Sequence, residues 1–103
     1  MSVPYRPLGY IREIVASLGL DVTYVYEDLV YVQHNAFLLQ MGERGEDVFL
    51  YFNTESAPGE RDAITEQLRK IGVTRQLQIQ RKGTYTMTQI PDEENIRIEF
   101  FAD

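Results

Sequence analysis

The sequence predicts one α+β domain: an antiparallel sheet of up to seven strands with two helices packed on one face, in the order α-ββββ-α-βββ. Three observations predict it. Apolar residues keep helical spacing from 8 to 18 and again from 63 to 71. They alternate from 21 to 53 and in shorter pieces from 75 to 100, where Val, Tyr, Ile and Phe are enriched. Turn-forming residues fall where the period changes. At 103 residues the chain is long enough for a single core and too short for two, so 1–103 is read as one domain.

The first helix is read in "RPLGYIREIVASLG". Pro7 suits the first helical position and Gly19 the left-handed residue just past the end. Leu8, Ile11, Val15 and Leu18 share one face. Four strands follow at Asp21–Tyr26, Leu29–Gln33, Ala36–Met41 and Val48–Asn53. Their breaks are Glu27-Asp28, His34-Asn35 and the loop "GERGED" at 42–47. The first two are two-residue hairpin loops, which demand backbone conformations that Asn, Asp and His tolerate. His34 is the only histidine. An exposed turn gives it no partner for base chemistry, so it is read as a hairpin corner.

The second helix is expected over Glu60–Ile71, with Ala63, Ile64, Gln67, Leu68 and Ile71 as its stripe and Gly72 as its stop. Ser56 is read as a helper in its cap, and Glu66 and Lys70 as a supporting pair four residues apart. "RQLQIQR" and "TYTMTQI" then read as two strands with a turn at Lys82-Gly83. The polar "PDEEN" follows, and a last strand in "IRIEFFAD" has Ile96, Ile98 and Phe100 on one side.

Tight turns set register, and register sets facing. Tyr26 should oppose Leu29, Tyr24 should oppose Tyr31, Val32 should oppose Phe37, and Val30 should oppose Leu39. One face then carries Thr23, Val25, Val30, Val32, Phe37, Leu39 and Met41 and belongs under the helices. The other carries Val22, Tyr24, Tyr26, Leu29, Tyr31, Gln33, Ala36, Leu38 and Gln40, with Phe49 and Tyr51 added by the fourth strand. That second face has no lysine or glutamate. A contiguous row of tyrosine and leucine is the composition of an interaction surface. The expected partner-binding residues are Tyr24, Tyr26, Tyr31, Leu38 and Tyr51, and Tyr31→Glu is expected to break association while sparing the fold.

Chemistry has few anchors. There is no cysteine, no nucleophile elbow, no phosphate-binding loop and no dinucleotide fingerprint. No cofactor and no metal site is expected. "DEEN" at 92–95 lacks the glycine and spacing of a calcium loop. "GERG" at 42–45 has the spelling of a nucleic-acid-clamping G-x-x-G loop, but it lies between strands rather than helices. The net charge of −6 argues against a nucleic-acid partner. Five of the ten basic residues nevertheless fall between 69 and 82 with no acid among them: Arg69, Lys70, Arg75, Arg81 and Lys82. This run is read as a solvated helix end and strand, with an acidic partner, or the acidic part of a second copy, as the other use. No apolar run is long enough for a bilayer and the N-terminus lacks a secretory pattern, so a cytoplasmic protein without a membrane partner is expected.

A helix ending "LGL", a run of antiparallel strands, a second helix and further strands in a small acidic chain together resemble the type III secretion chaperones. The likeness spans about residues 8 to 90 and is one of element order. It implies a small dimer that binds extended segments of other proteins. The strand "IRIEFF" stands where those chaperones carry a C-terminal helix. The aromatic sheet face makes the expected function a non-catalytic protein–protein interaction module, a homodimer or an adaptor or chaperone-like protein. The alternative is a small enzyme or ligand-binding domain using carboxylates and tyrosines in a cleft.

Overall fold

A computed structural model describes residues 7–33, 36–89 and 96–102. Two sequence readings, the His34-Asn35 corner and "DEEN" at 92–95, lie outside the described residues. The fold is α+β, and the described residues form two helices and one mixed six-stranded sheet. Its elements are α1 (Leu8–Ser17), β1 (Val22–Tyr26), β2 (Leu29–Val32), β3 (Phe37–Met41), β4 (Asp47–Asn53), α2 (Pro58–Thr74), β5 (Gln78–Gln89) and β6 (Ile96–Ala102). The strands lie in chain order from β1 to β6.

The helix ends follow from local hydrogen bonding. Past α1, Gly19 takes φ 78°. Its N–H reaches the Ala16 carbonyl while the Leu20 N–H reaches that of Val15, which together cap the orphaned carbonyls. The same pair of bonds ends α2, from Gln76 to Val73 and from Leu77 to Gly72. There Gln76 (φ 62°) takes the left-handed position, so the expected stop at Gly72 is corrected. Gly72 lies inside the helix because α2 crosses β5 there: a Cβ would stand 2.9 Å from Ile79 Cδ1. Ser56 does not cap α2. Its hydroxyl donates to the Asn53 carbonyl instead.

The first four strands form an antiparallel meander in the expected register. Tyr24 opposes Tyr31, Tyr26 opposes Leu29, and Val30 opposes Leu39. Glu27 turns the first hairpin with φ 53°. The third connection is stapled by Arg44, whose guanidinium makes two bonds of 2.9 and 3.0 Å to the Asp47 carboxylate. That hydrogen bond holds the Asp47 carboxyl below its ordinary value.

Two features differ from the expected antiparallel sheet of up to seven strands in the order α-ββββ-α-βββ. β5 runs parallel to β4, because the 17 residues of α2 carry the chain back to the start of β4. The two strands expected around Lys82-Gly83 are one strand of 12 residues. Lys82 is an extra residue in its ladder, since Leu50 pairs with Arg81 and Tyr51 with Gly83. Gly83 is not a turn. A Cβ there would fall on the carbonyl oxygen of Phe101, where β6 closes against β5.

Both helices pack on the face carrying Val30, Val32, Phe37 and Leu39, as expected. Ile11, Ile14 and Val15 of α1 and Leu68 of α2 meet these residues together with Val48, Leu50, Phe52 and Ile79. A bulge at Thr23 corrects the facing of β1, pairing Val22 with Val32 and turning it towards this core. Ala36 also packs against the helix-side core rather than lying on the opposite face.

Candidate interaction surface

The helix-free face is assembled by β1 to β6 in rows. Tyr24, Tyr31, Leu38 and Tyr51 are successive cross-strand neighbours. Beside them Phe49 opposes Gln40, while Tyr85 lies between Asn53 and Phe100. Because Gly83 has no side chain, the rings of Tyr51 and Phe100 meet across β5 with centroids 4.6 Å apart. The rings of Tyr24 and Tyr31 are 5.8 Å apart and tilted by 42°, within the range favoured by aromatic pairs.

Burial along this face is uneven. Leu38 is fully buried and Tyr85 is 1% exposed, although neither belongs to the helix-side core. Tyr24 and Tyr26, in contrast, are 60% and 55% exposed. Tyr31 and Tyr51 lie between these extremes. The phenol pKa values follow the burial. Burial raises the pKa of Tyr31, and the neighbouring phenols of Tyr85, Tyr24 and Tyr26 raise it further. Burial also raises Tyr51, with the Asp28 carboxylate adding to it, and raises Tyr85 against an opposing hydrogen bond from Asn53.

The five predicted contact residues are therefore gathered on one face but do different work. Tyr24 and Tyr26 are open, Tyr31 and Tyr51 are half-covered flanks, and Leu38 is the floor beneath them. Tyr85 and Phe100 join the same face and were not singled out from sequence. The alternation in "TYTMTQI" and "IRIEFF" grouped them with their own neighbours. Which face they joined depended on the crossover through α2.

A cleft of about 380 Å³ opens where β4 ends and α2 begins, lined by residues including Phe52, Asn53, Glu60, Arg61 and Ile64. Arg61 is committed to structure there. Its Nε donates to Ser56 Oγ (3.1 Å), and its Nη2 donates to the carbonyls of Asn53, Thr54 and Ser56 at 3.1–3.4 Å. Glu55 and Glu60 are among the described residues that line the cleft. Among the described residues, no group of three or more His, Cys, Asp or Glu side chains gathers to hold a metal.

The basic run is dispersed by the fold. Arg69 pairs with Glu66 (3.3 Å), Arg75 with Glu13 (3.0 Å) and Arg81 with Asp62 (2.8 Å). Lys82 stands on the aromatic side, with its ammonium 5.1 Å from the centroid of Phe49. Among the described residues, no helix is long and apolar enough to cross a membrane. Comparison with protein-family models, curated proteins and solved structures finds no match to the chain.

Proposed function

We infer that this chain is a non-catalytic protein–protein interaction module, a homodimer or an adaptor for another chain, that docks its partner through the aromatic face of its sheet. The observation that carries the reading is the pair Tyr24 and Tyr26, more than half exposed beside a row of packed aromatic side chains. An amphipathic ring that is large, rigid and open to solvent is the side chain interfaces favour, and such anchors dominate binding energy when a partner covers them. A cytoplasmic setting without membrane or nucleic-acid contact belongs to the same reading. The ion pairs of Arg69, Arg75 and Arg81 support it by leaving little concentrated positive charge.

The test is affinity capture with the full chain and with a Tyr24→Glu, Tyr26→Glu variant, alongside sedimentation of each. Both substitutions fall at exposed positions, so the thermal melt should stay within a few degrees. The expected result is loss of the captured partner, or of self-association, in the variant alone. Equal capture and equal sedimentation by both chains would refute the reading.

A further inference from the structure

The two edges of the sheet differ. β1 is five residues long and bulged at Thr23. Bulges twist an edge and guard it against pairing with another sheet. β6 has seven residues in unbroken register with β5. Among the described residues, nothing pairs with its outer side. It holds neither proline nor lysine, and Phe100 and Phe101 on its two faces are 42% and 45% exposed.

The charges on β6 are Arg97 and Glu99, which share the side opposite Ile98 by alternation. A charge on an edge strand repels a second sheet only where like meets like. These two are opposite in sign and two residues apart, which makes an antiparallel strand complementary to itself. Their mutual contact within the chain is long, 3.9 Å, and both side chains are at least half exposed, so both are available to a second chain.

We propose that β6 is a self-association seam, pairing with β6 of a second copy antiparallel about a two-fold axis at Ile98 and joining two six-stranded sheets into one. In that register each Arg97 opposes the second copy's Glu99, Ile98 opposes Ile98, and position 96 opposes Phe100. Sliding by two residues in either direction sets Arg97 against Arg97 or Glu99 against Glu99. Sliding by one joins the aromatic face of one sheet to the helix-covered face of the other. The charge pair thus selects one register, and the contact closes as an isologous dimer. This seam goes beyond the aromatic-face reading and stands without it.

The absence of native cysteine gives a direct test. Directly opposed Cα atoms lie about 4.5–5.5 Å apart in an antiparallel pair, within disulfide reach. Under mild oxidation the full chain carrying Ile98→Cys should therefore cross-link to a covalent dimer. Phe100→Cys should not, because its counterpart lies four residues along the strand, roughly 13 Å away. In sedimentation equilibrium the unmodified chain should dimerise, and Arg97→Glu or Glu99→Arg alone should weaken the dimer roughly tenfold or more. Mixing those two variants should restore association, since each carries the charge the other lacks. Circular dichroism confirms that every variant is folded. A monomeric unmodified chain, a dimer indifferent to both charge changes, or Phe100→Cys cross-linking as readily as Ile98→Cys would each overturn the proposal. A dimer abolished by Tyr24→Glu, Tyr26→Glu but untouched at β6 would assign self-association to the aromatic face and overturn it too.

Discussion

Leu38 decides whether the helix-free face is a bare surface or a second layer of core. Its side chain points away from both helices, yet it is fully buried, with Tyr31 and Tyr51 as its cross-strand neighbours. Leu38→Ala removes three carbon groups from that setting. At about 0.8 kcal/mol per buried group the transfer loss is roughly 2.4 kcal/mol. A rigid cavity raises such losses towards 5 kcal/mol, and a site that collapses adds little. Tyr31 and Tyr51 are only half-covered, so their rings have room to settle into the void. The expected cost is therefore near the transfer value, roughly 2–3 kcal/mol. Leu39→Ala, on the opposite face in the core closed by α1 and α2, should cost more, about 3–5 kcal/mol. Each kcal/mol moves the melting temperature of a domain near this size by about 4–8 °C. Leu38→Ala should thus melt roughly 10–20 °C lower, with denaturant titration confirming the free-energy change. A fall of less than about 3 °C would show that the rings do not pack over Leu38 and would refute the second layer.

Two further outcomes test the same architecture. Gly83→Ala places a methyl group on the Phe101 carbonyl. It should cost at least about 1–3 kcal/mol and loosen the C-terminal end of β6, read as faster amide exchange near Phe101; unchanged exchange there would contradict the close approach. Tyr31, Tyr51 and Tyr85 all have pKa values raised by burial above the ordinary 10.0. A raised value holds the proton more tightly in the folded state, so this stability is complete below pH 10 and lost as pH rises through the folded values. Denaturant midpoints should therefore fall above about pH 10, and ultraviolet phenolate titration should show part of the tyrosine absorbance appearing late. A single step at the ordinary value would count against the burial of these three phenols.

The meander was legible because tight turns and strict alternation leave little freedom. Once Glu27-Asp28 turns the chain, Tyr24 must meet Tyr31 and Tyr26 must meet Leu29, as they do. Single inserted residues were not legible. The bulges at Thr23 and Lys82 each shift facing by one, and both stretches still alternate on paper. The sign at Gly83 was ambiguous, because a glycine serves equally as a turn residue or as a place where another backbone closes in. Its role follows from a contact with Phe101, eighteen residues later in the chain. The direction of β5 was hidden for a related reason: local pattern identifies a strand after a helix, but only packing of α2 across the sheet makes it parallel. Of the candidate site, alternation grouped Tyr24, Tyr31 and Leu38 correctly on one face. It carried no information on which of them other rings would cover.

That covering determines where a partner can act. Two helices shield only one side of a six-stranded sheet, so the other side must bury its own hydrocarbon or leave it wet. Here the middle is closed, with Leu38 and Tyr85 almost wholly inaccessible. Its open aromatic rings lie towards the two ends: Tyr24 and Tyr26 on β1, and Phe100 on β6. On the proposed reading, contact energy comes from the end tyrosines rather than from Leu38, which is buried. The two ends are separated by five strand spacings, about 24 Å, so occupation of one leaves the other free. A dimer sealed at β6 would then present two copies of the β1 tyrosines on one continuous sheet. For a partner able to span both, the second contact becomes intramolecular and strengthens binding without any new side chain.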